Sequence, residues 1–174
     1  MKKKYYIISA VIIVCLLGIV VLSSLLMRDS MEKNQSSFDS FEILVKYGEK
    51  ETKLDKNILM SLESKEFNAI YDTSDTEPKL ESYTGIELKD ILKHCNIEIT
   101  EKDTVVMNSI DNFTVAYSGS EVLKDKNAFL AYEEGGKALK TKEDGGPGPY
   151  ETIIASDEFS NRRCKWVVSI EVRG

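Results

Sequence analysis

Along this chain the hydrophobic positions come first as one unbroken block, and only later as short periodic patterns. Tyr5 to Met27 is 23 residues without a charge, long enough to cross a hydrocarbon core of roughly 30 Å as a helix. Lys2-Lys3-Lys4 precede the block and a single Arg28 follows it, a bias that keeps the amino terminus in the cytoplasm. The pattern predicts a cytoplasmic tail (1–4), a transmembrane signal anchor (5–27), a polar stalk (28–39) and an extracytoplasmic domain (40–174) at the cell membrane. A cleaved signal peptide predicts an apolar core of about 7–15 residues closing on small residues. Val21-Leu22-Ser23-Ser24 is a poor version of that ending, so an uncleaved, single-pass anchor is expected.

Beyond the stalk the pattern changes to alternation and short helical periods. Phe41–Tyr47 reads as a strand turning at Gly48, with Thr52–Leu54 starting its return. Asp55–Glu63 reads as a short helix capped by Asp55, with Ile58, Leu59 and Leu62 on one face. Phe67–Tyr71 alternates as a strand, and Ser74–Glu81, which contains Pro78, reads as a loop. From Thr84 to Cys95 the apolar residues at 88, 91, 92 and 95 follow a helical period. Strands are expected at Thr104–Met107, Phe113–Tyr117, Ala128–Tyr132, Tyr150–Ala155 and Val167–Val172. A turn is expected at Ser109–Asn112, a helical turn at Ser120–Leu123 and a hairpin at Gly135-Gly136. Short helices among hairpins predict an α+β, mainly β fold of mixed sheets, and not a doubly wound parallel sheet.

Charge narrows the function classes. The whole chain carries −6, and without the three amino-terminal lysines 20 basic residues face 29 acidic ones, a formal −9. Nucleic acid is therefore an unsuitable partner, and adsorption to anionic lipid cannot replace the helix as a tether. A small-molecule or protein partner stays open. Cys95 and Cys164 are the only cysteines after the apolar block, too few for a disulfide scaffold. One bridge or two buried thiols both fit the sequence. His94 is the single histidine, which leaves no set of His and Cys ligands for a zinc-type site.

Four motifs, in order, carry a resemblance. Tyr83-Thr-Gly85-Ile86-Glu-Leu88-Lys-Asp90-Ile-Leu92, Asp111-Asn112-Phe113, Gly145-Gly146-Pro147 and Lys165-Trp166-Val167-Val-Ser-Ile170-Glu-Val172 resemble the molybdopterin-binding domain of the sulfite oxidase family, in its small single-domain bacterial form. The resemblance covers roughly residues 80 to 173. It implies mixed, mostly β sheets around a cleft that, in the enzymes, holds molybdenum through the pterin dithiolene and one cysteine thiolate. That cysteine is expected between Glu66 and Gly85, and no cysteine lies there. The expectation is a binding or accessory module in which molybdenum ligation is doubtful. The alternative is a molybdopterin-dependent oxidoreductase with atypical ligation, through Cys95 or Cys164.

The candidate cofactor-binding residues are Tyr83, Asp111, Asn112, Arg162 and Arg163; no catalytic or metal-ligating residue is assigned. Paired guanidinium groups suit bidentate anion binding, while a solvated arginine pair in a loop is the plainer reading. Asp111-Asn112 has a plain reading too, as turn chemistry. Glu143-Asp-Gly-Gly-Pro-Gly-Pro-Tyr150 is a poor phosphate cradle, because Pro147 and Pro149 remove two backbone donors and a strand follows. It reads as a stiff turn delivering that strand.

Overall fold

The computed structural model describes residues 12–24, 38, 40–73 and 76–174. The chain divides into two units, Met1–Ser36 and Ser37–Gly174. In the first, residues 12–24 form a helix, α1. Its Ser23 and Ser24 hydroxyls donate to the carbonyls of Ile19 and Val20, four residues back, at 2.7 and 2.8 Å. The remainder of the expected span, and all of the stalk except Phe38, lie outside the described residues. Among those described, no helix is long and apolar enough to cross a membrane.

The second unit runs β1 (Ile43–Tyr47), β2 (Lys50–Leu54), α2 (Lys56–Ser61), β3 (Ser64–Thr73), β4 (Thr76–Glu87), α3 (Leu88–His94), β5 (Thr104–Ser109), β6 (Thr114–Ser118), α4 (Gly119–Leu123), β7 (Ala128–Glu134), β8 (Lys137–Ala138), β9 (Glu151–Ile154) and β10 (Val167–Arg173), with a 3-10 turn at Ser160–Arg162. One sheet has the order β2-β1-β10-β5-β6, and the other β3-β4-β7-β8 with β9 also on β7. β1 pairs with β10 in parallel, which brings the two ends of the domain together in one sheet.

The alternation along β7 sorts its residues onto two faces. Ala128 and Leu130 enter the large core with Ile43, Leu59, Leu88, Met107 and Ile170. Phe129 and Ala131 enter a smaller cluster with Phe67, Ala69, Tyr83 and Ile153. In that cluster the Phe67 and Phe129 rings stack with centroids 3.8 Å apart. Asp55 caps α2 as expected, accepting from the Ile58 amide at 2.9 Å.

Two expectations are corrected. The loop expected at Ser74–Glu81 is largely strand, because β4 begins at Thr76. Pro78 is accommodated where the β3–β4 register shifts, between Tyr71 and Thr73, and ahead of Tyr83, where pairing with β7 begins; a proline is tolerated at such an edge or irregularity. The helix expected from Thr84 begins only at Leu88. Residues 84–87 stay in β4, and the helical period belongs to Leu88, Ile91, Leu92 and Cys95, all buried.

Gly85 shows why the strand carries a glycine. β4 and β7 shift register between Thr84 and Gly85, and a Cβ at Gly85 would sit 2.7 Å from the Leu130 carbonyl oxygen. Gly85→Ala forces the two strands apart and is expected to destabilise the domain by about 1–3 kcal/mol, measurable by urea denaturation.

The glycine–proline segment is a packed turn. A Cβ on Gly146 would lie 2.3 Å from Lys140. Trp166 clamps the segment from the other side: its indole N–H donates to the Gly146 carbonyl at 2.7 Å, and its backbone N–H to the Pro147 carbonyl at 3.0 Å. Trp166 holds a φ of 53°, unusual for a bulky residue.

Candidate functional site

The candidate site is centred on Arg163, which follows the 3-10 turn and is positioned by an isolated bridge between Cys164 and Thr152 of β9. Its guanidinium donates to the Tyr83 hydroxyl at 3.0 Å and to the Ile70 carbonyl at 2.7 Å. The Tyr83 ring lies 4.8 Å and the Tyr71 ring 5.6 Å from its central carbon. The Tyr83 hydroxyl in turn donates to the Glu134 carboxylate at 3.0 Å. Arg163 is therefore a buried cross-link between β3, β4 and the approach to β10, and not a solvated loop residue.

Arg162, next in the chain, faces elsewhere. It pairs with Asp157 at 2.5 Å and Glu121 at 2.8 Å, while its carbonyl accepts from the Tyr117 hydroxyl at 2.8 Å. The two guanidinium groups do not form a joint anion clamp. Asp111 closes its own turn, accepting from the Ser109 hydroxyl at 2.6 Å and the Phe113 amide at 3.1 Å. Those bonds, led by the one from Ser109, hold its carboxyl below the usual carboxylate range. Asn112, at φ 67°, is the exposed tip of that turn.

A cavity of about 140 Å³ lies between Ser109, Asp111, Phe113, Arg163, Lys165 and Trp166. Of the five sequence candidates, this cavity joins Asp111 and Arg163, Tyr83 reaches it through Arg163, and Asn112 and Arg162 stand apart.

Sequence reasoning missed two partners. Glu151, on β9, is 2% exposed. One of its carboxylate oxygens is 3.5 Å from Arg163, and the other has no hydrogen-bond partner. Its signal was a carboxylate opening a short strand that continues Thr152-Ile153-Ile154. Asp72, near the end of β3, accepts from the Ser160 backbone N–H at 2.5 Å, and the Ser160 hydroxyl reaches the Asp72 carbonyl at 2.7 Å. Nothing local marks that pair, because 88 residues separate its members.

Burial pushes the Glu151 carboxyl up to about 7 from 4.5, outweighing the pull of Arg163 and Lys165, and Glu134 adds to the rise. In the folded state Glu151 keeps its proton over a range where the unfolded chain has lost it. Stability is therefore expected to fall as pH rises from about 4.5 to about 7, by on the order of 3 kcal/mol from this group, and to level off above. Urea melts of the wild type and Glu151→Gln across that range check this: the glutamine variant is expected to lack that part of the slope.

The sequence matches the family described as "Oxidoreductase molybdopterin binding domain" over residues 43–174. The chain belongs to that family. Among solved structures it is similar to the sulfane dehydrogenase SoxCD from Paracoccus pantotrophus, at 15% identity and a TM-score of 0.61, over 75% of this chain and 37% of that one. That likeness concerns the fold, and the chain spans well under half of that protein. No curated protein matches it.

The residues present fit the family's metal centre poorly. The protein ligand that the resemblance implies is a cysteine thiolate, a soft donor, yet burial pushes the Cys164 thiol up to about 12, with Asp111 and Glu151 adding to the rise. Burial raises the Cys95 thiol as well. Both are free and buried, conditions that favour an inert neutral thiol. The β3–β4 hairpin, where the ligand is expected, holds Asp72 tied to Ser160. The cavity beside Arg163 is also below the roughly 300–1,000 Å³ usual for ligand pockets.

Proposed function

We propose that this chain is a membrane-anchored, extracytoplasmic member of its family that works without molybdenum, as a binding or accessory module. The observation carrying this reading is the donor set: no cysteine between Glu66 and Gly85, and two buried thiols elsewhere whose surroundings keep them protonated. The arginines support it. Arg163 is committed to Tyr83, Ile70 and Glu151, and Arg162 to acidic neighbours, so neither guanidinium is left for a cofactor phosphate. What supports the anchor is the apolar 23-residue run with its lysine flank.

The test is the organic cofactor. Full-length protein isolated from membranes of its own cells is oxidised in acid and assayed for fluorescent pterin; a trace far below one pterin per chain is expected, and a stoichiometric amount overturns the reading. Protease treatment of intact cells tests the anchor separately: the domain is expected to be degraded, and full protection would place it on the cytoplasmic side.

A further inference from the structure

A second cavity, of about 310 Å³, is lined by none of the candidate residues. Phe41 ahead of β1, Tyr132 of β7, Leu139 after β8 and Tyr150 at the end of the glycine–proline turn form much of its wall. The tyrosine hydroxyls are already engaged: Tyr150 donates to the Phe41 carbonyl at 3.4 Å and Tyr132 to the Ser64 hydroxyl at 2.8 Å. The surface offered to a guest is therefore mainly ring and methylene. The wall is also stiff, since a Cβ at Gly148 would lie 2.8 Å from the Leu139 carbonyl oxygen. Phe41 holds the left-handed φ of 56°, a conformation that a bulky residue keeps only when its surroundings enforce it. A volume of this size falls at the lower end of small-molecule sites.

Two charged groups, Lys56 and Glu133, also line it. Among the described residues neither forms an ion pair; the Lys56 ammonium lies 5.5 Å from the centroid of the Phe41 ring. An apolar cavity with one unpaired cation and one unpaired carboxylate selects by charge arrangement. A simple anion meets Glu133, a simple cation meets Lys56, and a wholly apolar guest makes use of neither the exposed Lys56 nor the half-buried Glu133. A guest with both signs and an apolar body satisfies all three parts of the wall.

We propose that this cavity binds a zwitterionic small molecule of the hydrophobic α-amino acid class, with its carboxylate toward Lys56, its ammonium toward Glu133 and its side chain among Phe41, Tyr132, Leu139 and Tyr150. The site is separate from the Arg163 region and stands whether or not the chain is anchored or binds a pterin.

Equilibrium dialysis of labelled L-phenylalanine against the full-length chain in phosphatidylglycerol nanodiscs, with empty discs as blank, tests it. Saturable binding of one molecule per chain is expected. 3-Phenylpropionate and phenethylamine, which each keep one of the two charges, are expected to compete about 10-fold less well or worse. Lys56→Gln and Glu133→Gln are each expected to weaken binding by about 10-fold. Ala138→Trp, at an exposed position of the lining, is expected to abolish binding by filling the cavity, with the melting temperature of each variant reporting intact folding. No saturation up to millimolar concentration, or equal competition by the singly charged analogues, overturns the proposal. Displacement by phosphatidylethanolamine added to the discs overturns it too, since the site then belongs to a lipid headgroup.

Discussion

Replacing Arg163 with alanine is expected to destabilise the domain by about 3–4 kcal/mol, with a fall in melting temperature on the order of 10 °C. The side chain is only 6% exposed, and its loss strands three polar groups at once. The Ile70 carbonyl and the Tyr83 hydroxyl lose a charged donor, and Glu151 loses its nearest cation. The slot between the Tyr71 and Tyr83 rings is left partly empty. The loss should grow with pH. Near pH 5 Glu151 is protonated with or without the cation, whereas near pH 8 the wild type holds the carboxylate beside Arg163 and the variant must bury it unpaired or take up a proton. Arg162→Ala is the matched control. That side chain is 40% exposed and holds partly exposed partners, so its removal is expected to cost about 1 kcal/mol or less. Urea denaturation of both variants near the two pH values separates a buried cross-link from a surface ion pair.

Phe129→Ala is expected to cost about 3–5 kcal/mol. Phe129 is fully buried and stacks flat on Phe67, and Ile153 and Tyr83 complete its surroundings. These neighbours lie on strands already fixed by the β3–β4, β4–β7 and β7–β9 ladders, so they cannot collapse into the space. The same truncation at Phe113, which is 49% exposed, is expected to stay within about 0.5 kcal/mol.

Much of the fold could be read from residue order because its signals are local. Asp55 announces α2 through a bond three residues on, and Gly135-Gly136 forms its hairpin at φ 57° and 74°. The errors arose where distant chain decides. Pro78 looks like a loop residue until β3 and β4 are paired across an irregularity, and Thr84–Glu87 looks helical until β7 claims it for a sheet. The candidate site follows the same division. Asp111 was identifiable, and its turn chemistry, visible in the sequence, is the role it fills. Arg162 and Arg163 are identical residues side by side, and only the fold decides that one enters the interior while the other meets Glu121 and Asp157. Glu151 could have been suspected from a carboxylate preceding Thr152-Ile-Ile; its 3.5 Å approach to Arg163 could not.

The resemblance implies that molybdenum would be gripped through a cysteine sulfur, and the hairpin where that cysteine is expected carries Asp72 bonded to Ser160. The decisive quantity is the molybdenum content of full-length protein purified without chelators from membranes of cells grown with ample molybdate. Well under one-tenth of an atom per chain, as an order-of-magnitude bound on adventitious metal, is the expected result. A molybdenum atom retained on every chain through gel filtration would contradict the reading and point to a ligand that neither Cys95 nor Cys164, as they are buried here, supplies.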